Sequence, residues 1–306
     1  MTRFWTQTWA TAAMTLAVLL AGVTGRAEET RPPAPADQPA GTPKLFAFCM
    51  NVADSRHRSL PEQARMLREL GFDGAAYGLW LGADLERNLQ TFDAAGLNIY
   101  MFEVVADLTR PFDPQLNPPG IAAAIRQLKG RPAILSVQLR GFPPGDPRGE
   151  RPAVKMLRQL GDLAAASGLR ISVYNHVGNW AESVPFALKI VKKADYPQVG
   201  VNFNLCHWLA VNGDKDYRPV LRDAGAKVFV VTINGAKLGS KSWADGLIMP
   251  LDRGDFDNRQ LLATLREIGY RGPIGIMCYG LSGDAGEYLQ RAMKVWKTWQ
   301  IERTKP

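Results

Sequence analysis

From residue 44 onward, short β-rich apolar runs alternate with longer segments whose apolar residues recur at helical spacing, and the alternation repeats eight times. The strand-like runs are Lys44–Met50, Asp73–Tyr77, Leu97–Glu103, Pro132–Gln138, Leu169–Asn175, Gln198–Asn204, Lys227–Asn234 and Pro273–Tyr279. The clearest helix starts at Ser59 with Glu62 three residues on, a capping-box spacing, and stops at Gly71. Further helices are predicted over Asp84–Ala95, Ile121–Leu128, Ala153–Ser167, Ala181–Ala194, Tyr217–Ala224, Arg259–Ile268 and Gly286–Trp299. Eight βα units with right-handed crossovers close naturally into a (β/α)8 TIM barrel over 44–306. An open doubly wound sheet fits less well, because no Gly-x-Gly-x-x-Gly follows any strand.

The N-terminal residues break this pattern. Arg3 precedes an apolar and small-residue run from Trp9 to Val23, and Gly25-Arg26-Ala27 offers a small-x-small cleavage site. Residues 1–27 read as a signal peptide, so the protein is expected to be exported, to the periplasm or the extracellular space. Contact with a membrane is expected only through an uncleaved signal segment, whose apolar core is shorter than a spanning helix needs. Residues 28–43 carry Pro32, Pro33, Pro35, Pro39 and Pro43 and read as an extended linker. Without residues 1–27 the net charge falls from +8 to +6. The remaining basic residues are scattered and lack an aromatic stripe, which argues against nucleic acid as a partner. Three cysteines are too few for a disulfide scaffold. Cys49 and Cys278 fall in the first and last predicted strands, where one bridge or two buried thiols are both compatible with closure.

In a TIM barrel, chemistry sits at the C-terminal strand ends. Those ends supply Met50, Asn51, Tyr77, Glu103, Gln138 with Arg140, Tyr174-Asn175-His176, Asn204 with His207, Thr232 with Asn234, and Met277-Cys278-Tyr279. Two of the chain's three histidines, His176 and His207, follow adjacent strands five and six. Packing is the competing role for each, as ion pairing with Arg140 is for Glu103 and turn closure is for the asparagines. Trp80, Trp180, Trp208 and Trp243 suit stacking on a sugar face or core packing. The long seventh loop, Gly235–Gly254, is a candidate lid or specificity element.

Three segments carry a family resemblance. Leu60-Pro61-Glu62-Gln63 through Leu70-Gly71-Phe72-Asp73-Gly74 resembles the first helix and second strand of xylose isomerase-like sugar isomerases and epimerases. Val173-Tyr174-Asn175-His176 and Val199–His207 are similar to that family's Glu-Asn-His and Asp-x-x-His strand ends, and Phe229–Asn234 with Gly272–Met277 align with its last two strands. The resemblance implies a TIM barrel acting on a small-molecule sugar or sugar derivative. It also implies a divalent ion held by Glu, Asp, His and Glu, yet the matching positions here are Tyr174, Asn204, Val231 and Met277. Neutral groups of that kind are poor ligands for a hard or borderline cation, so no metal and no cofactor is expected, unless Glu103, His176 and His207 form a displaced site. The many-ligand metal clusters of the endonuclease branch are out of reach of three histidines.

Two function classes follow. One is an isomerase- or epimerase-like enzyme moving a proton next to a sugar carbonyl, with His176, His207 and Glu103 as catalytic groups, or a related metal-independent lyase acting on oxidised (3-keto) sugars. In it Asn175, Asn204, Gln138, Tyr174, Asn234 and Trp208 bind substrate. The other is a noncatalytic exported carbohydrate-binding barrel, which fold alone does not separate from the first.

Overall fold

The computed structural model describes residues 43–304, so the signal peptide read from residues 1–27 and nearly all of the linker lie outside the described residues. Eight parallel strands close a barrel in sequence order: β1 (Leu45–Phe48), β2 (Gly74–Gly78), β3 (Asn98–Asp107), β4 (Ile134–Arg140), β5 (Arg170–Val173), β6 (Val199–Asn204), β7 (Val228–Ile233) and β8 (Ile274–Met277). β1 pairs with β8 through Leu45 opposite Ile274 and Phe48 opposite Met277, which completes the ring.

The outer layer comprises α1 (Leu60–Leu70), α2 (Gly82–Ala94), α3 (Ile121–Gln127), α4 (Glu150–Ser167), α5 (Val184–Ala194), α6 (Leu205–Asn212), α7 (Arg218–Ala224), α8 (Asn258–Glu267) and α9 (Ala285–Thr304). The start expected for α1 is present: the Glu62 carboxylate accepts the Ser59 N–H at 2.8 Å, and Gly71 ends the helix at φ 87°. Among the described residues no helix is long and apolar enough to cross a membrane.

One helix departs from the sequence reading. Leu205–Asn212 forms α6 directly after β6, in a stretch read only as a strand end. Its first five residues are all buried, so it has no polar face and no 3.6-residue alternation to reveal it. β3 also runs four residues beyond Glu103, to Asp107.

Alternation along the strands determines which side chains enter the lumen. The Asn202 carboxamide reaches across from β6 to the Ser136 hydroxyl on β4 at 3.1 Å and to the Met101 sulfur on β3 at 3.6 Å. Ser172 on β5 donates to the same Ser136 hydroxyl at 3.1 Å. Met101, Ser136, Ser172 and Asn202 therefore form one interior layer. The residues two positions on, Glu103, Gln138, Tyr174 and Asn204, form the next layer toward the mouth. Val231 lies between the inward positions Val230 and Thr232 and packs among the outer apolar residues.

The seam between the first and last βα units is closed by charge. Arg58 donates to both Asp54 oxygens at 2.8 and 3.0 Å and to Asp284 at 2.7 Å, while Asp54 also accepts the Ala285 N–H that starts α9. Burial opposes ionisation of Asp54, but these hydrogen bonds outweigh it and keep the carboxyl below its usual range. Cys49 and Cys278, each one residue past its strand, are free thiols, as is Cys206.

At the start of β2 the barrel permits no side chain, since a Cβ on Gly74 would sit 1.9 Å from the Asn98 carbonyl oxygen. Backbone cannot yield as a rotamer does, so Gly74→Ala is expected to cost at least about 1–3 kcal/mol. Chemical denaturation checks this: the midpoint should fall while the slope stays constant.

Candidate functional site

β6 ends where Asn204 turns from strand to helix. Its side-chain oxygen accepts the His207 N–H at 3.5 Å, capping α6, and also the Cys206 thiol at 3.0 Å. Its side-chain N–H donates to the Tyr174 hydroxyl at 2.6 Å. Asn175 accepts the Asn204 N–H at 2.9 Å and donates to the Asn204 carbonyl at 3.3 Å, so a side chain replaces the next rung between β5 and β6. Cap and side-chain rung bring His207 and His176 together, with ring centroids 4.1 Å apart and planes 37° apart.

The backbone of Val177 fixes the proton positions on both rings. Its N–H donates to His207 Nδ1 at 3.3 Å, so that nitrogen carries the lone pair and Nε2 carries the hydrogen. Its carbonyl lies 2.8 Å from His176 Nδ1 and can only accept, so the hydrogen sits on Nδ1 and leaves His176 Nε2 as a base. Burial keeps the rings neutral. His207 is pushed down to about 3, chiefly by desolvation and then by His176, and α6's N-terminal potential acts in the same direction. His176 is lowered by burial, against the pull of the Val177 carbonyl, and further by the Arg140 charge.

Glu103 projects from β3, on the far side of β4 from the histidines that follow β5 and β6. Burial raises its proton affinity, only partly offset by the Gln138 N–H donated to Oε1 at 2.9 Å and by Arg140. Gln138 in turn accepts from Arg140 and from Asn179, so the carboxamide joins Glu103 to Arg140 without an ion pair between them. The direct Glu103–Arg140 pairing considered from the sequence is replaced by this relay. Tyr174 is fully buried and held well above its ordinary range, first by desolvation and then by Glu103.

The structure thus gathers His176, His207, Glu103, Gln138, Tyr174 and Asn204 at one mouth. Asn175 is there too, but its carboxamide is committed to the Asn204 backbone. Asn234 is turned into the seventh loop, donating to the Gly235 and Leu247 carbonyls at 2.7 and 3.0 Å. Trp208 packs on Phe203, a strand residue facing the helices, at 5.7 Å between centroids, and Trp180 is buried with its N–H on Asp146. Asn175, Asn234 and Trp208 thus make contacts within the fold, while Asn234 Oδ1 and Trp208 Nε1 are buried without a hydrogen-bond partner. Tyr174 stands edge-on to His176 and His207 at 5.8 and 5.5 Å, and Trp243, from the seventh loop, is edge-on to His207 at 5.4 Å.

Of the strand-end positions that the resemblance aligns with metal ligands, Tyr174 and Asn204 offer a hydroxyl and a carboxamide bonded to each other, Val231 points outward and Met277 offers a thioether. That donor set supplies no charge and does not fit a hard divalent cation. Among the described residues no group of three or more His, Cys, Asp or Glu is placed to hold a metal ion.

Residues 64–299 match the model of the Xylose isomerase-like TIM barrel family. The chain belongs to this family. A 3-dehydroshikimate dehydratase of Pseudomonas aeruginosa is 30% identical over 128 residues, 39% of this chain and 19% of that protein, so the chain spans about a fifth of that relative's length. Among solved structures, the D-psicose 3-epimerase of Clostridium cellulolyticum H10 superposes with a TM-score of 0.61 at 15% identity, over 84% of this chain and 98% of the epimerase. A probable 3-DHS dehydratase of Bacillus anthracis gives 0.61 at 15% identity over 83% and 98%. At such identities the structural likenesses speak for the fold alone, which sugar epimerases and dehydratases share.

A neutral buried imidazole makes stability depend on pH in a defined direction. Unfolded His207 binds a proton below about 6.5 and the folded residue only near 3, so between those values the unfolded state binds more protons. Stability from this group is complete above about pH 6.5 and is lost on acidification, by up to about tenfold in the folding constant per pH unit. His207→Gln should flatten that acid limb in denaturation midpoints measured against pH. A parallel fall in both proteins would show His207 protonating freely in the native barrel.

Proposed function

We propose that this barrel removes a proton from the carbon beside a carbonyl in a small polyhydroxylated substrate, without a resident metal. The observation that carries the reading is the His176–His207 pair, two rings whose opposite tautomers are set by the N–H and carbonyl of one residue, Val177. His176 Nε2 is the base that takes the proton. The electron pair of the broken C–H bond moves onto the carbonyl oxygen, where His207 Nε2–H donates a hydrogen bond to the developing oxyanion. Glu103, holding its proton more tightly than an exposed carboxyl, acts as the acid.

Two outcomes share this first step. Return of a proton to the opposite face gives epimerisation. Collapse of the enolate with departure of the β-hydroxyl, which leaves as water after taking the Glu103 proton, gives dehydration. The names of the Pseudomonas relative and the Bacillus neighbour favour the second outcome, and that of the Clostridium neighbour the first. The family membership and the neutral donor set support an enzyme over a passive sugar binder. A binder has no need of an accepting and a donating imidazole nitrogen held face to face.

The test incubates ketoses, aldoses and 3-keto sugars in deuterated water and follows deuterium at the carbon next to the carbonyl by NMR. Exchange should occur, and His176→Ala should slow it by about 10²–10⁴-fold, the usual contribution of a positioned base. His207→Ala should slow it by about 10²–10³-fold through loss of the oxyanion donor. Tight binding of a sugar with no exchange above the buffer rate would leave only the binding-module reading.

A further inference from the structure

Arg140 is the last residue of β4, and two positions past inward-facing Gln138 its side chain stands on the lumen side of the strand, one step nearer the solvent. The residue is exposed, and among the described residues its guanidinium has one side-chain partner, the neutral Gln138 oxygen. Four of its five N–H donors are therefore uncommitted to another side chain. The nearby carboxyl groups do not neutralise it. Glu103 is separated from it by Gln138, which donates to its Oε1, and burial raises its proton affinity. Asp107 lies opposite on β3, but its Oδ1 accepts from the Thr109 hydroxyl and N–H at 2.6 and 2.9 Å and its Oδ2 pairs with Arg110 at 3.4 Å. The Arg140 charge is nevertheless felt inside the site, since it makes His176 harder to protonate.

We infer that Arg140 is the anchor for a carboxylate on the substrate, which makes the natural ligand a polyhydroxylated keto acid and not a neutral sugar. The inference deepens the function proposed above and rests on it. At the mouth an exposed guanidinium whose side-chain partner is a neutral carboxamide stands beside buried imidazoles, and offers a fixed positive charge that an anion can match. The planar guanidinium fork matches a planar carboxylate through two parallel hydrogen bonds. A phosphate dianion fits less well, because Arg140 is a single cation and leaves the second charge unbalanced. Gln138 holds one edge of the fork in place, so Arg140 is oriented before the ligand arrives. The acid group then lies at the β4 rim, and the reacting carbon is directed inward toward His176 and His207.

The experiment uses matched probes: D-fructuronate against D-fructose, D-tagaturonate against D-tagatose, 3-dehydroshikimate against its carboxamide, and D-fructose 6-phosphate. Binding is read by calorimetry and reaction by deuterium exchange, on the full protein and on Arg140→Gln and Arg140→Lys. At least one acid should bind about 10- to 100-fold tighter than its neutral partner, the range expected for a charged hydrogen-bonded contact. Arg140→Gln should shrink that preference to about twofold or less, raising KM far more than it lowers kcat, and Arg140→Lys should keep part of it. Equal binding of acids and neutral partners, an acid preference that survives Arg140→Gln, or tighter binding of the phosphate than of every acid would overturn the assignment. Arg140-dependent acid binding without exchange would sink the proton-transfer reading while leaving the anchor. Exchange on neutral sugars without acid preference would do the reverse. No binding and no exchange with any probe would overturn both.

Discussion

Val177 spends both halves of its backbone on the two imidazoles, the N–H on His207 and the carbonyl on His176. Because a peptide N–H can only donate and a carbonyl can only accept, this single residue decides which nitrogen of each ring carries a lone pair and which carries a hydrogen. Two histidines brought together by chance would interconvert tautomers and present equivalent faces. Here the difference between base and hydrogen-bond donor is built into the turn after β5. That turn holds its place only because β6 ends at Asn204, whose side chain caps α6 and bonds Tyr174 while Asn175 satisfies its backbone. A buried carboxamide with all these groups engaged is costly to disturb, since any one loss strands a polar group away from water.

Desolvation then sets the electrical character of the mouth. It disfavours the imidazolium on His176 and His207, the carboxylate on Glu103 and the phenolate on Tyr174, so four titratable groups are driven toward neutrality by one physical cause. Arg140 stands exposed at the rim and supplies the fixed positive charge beside these groups. The Glu103–Gln138–Arg140 relay allows an acid and a cation to share one wall without collapsing into an ion pair that would consume both. Gln138 suits this position because its carboxamide donates at one end and accepts at the other.

Much of the barrel was legible because parallel strands buried on both faces read as short apolar runs, and helices with one wet face read as a 3.6-residue period. The eight runs expected from the sequence each contain most of an observed strand, with ends displaced by a few residues where the chain leaves the ladder, as at Met50 and Tyr279. α6 was hidden because a helix buried on all sides carries no period. The same blindness explains Trp208: without the helix, its position after Asn204 suggested the mouth, whereas the turn of α6 sends His207 inward and Trp208 back onto Phe203. Trp243 takes the place beside His207 from a loop thirty-six residues further along, a contact that no local spacing encodes. The histidine pair was visible from strand adjacency, but its opposed tautomers were not, because they depend on the backbone of a valine that carries no chemical signal of its own.

An enolate needs its negative charge balanced at the oxygen where it forms, and a divalent cation is the simplest way to do it. In the proposed reaction the neutral Tyr174–Asn204 pair lends no charge to that balance, since each group already satisfies the other. What remains is a hydrogen-bond donor held in a water-poor site, and such a donor is worth most where the surrounding dielectric is low and no reorganisation is needed. The same burial that strips His207 of its ability to become a cation therefore strengthens the one hydrogen bond its Nε2–H can give. A charged imidazolium would stabilise an oxyanion more, but it would raise the cost of neutral His176 accepting a proton 4.1 Å away between ring centres. Keeping both rings neutral in the resting site lets one accept a proton while the other donates a hydrogen bond. An anionic substrate held by Arg140 fits that arrangement, because the guanidinium then balances the ligand's charge and no longer opposes protonation of His176. In the proposed reaction, binding and base strength are thus coupled through a single arginine at the rim.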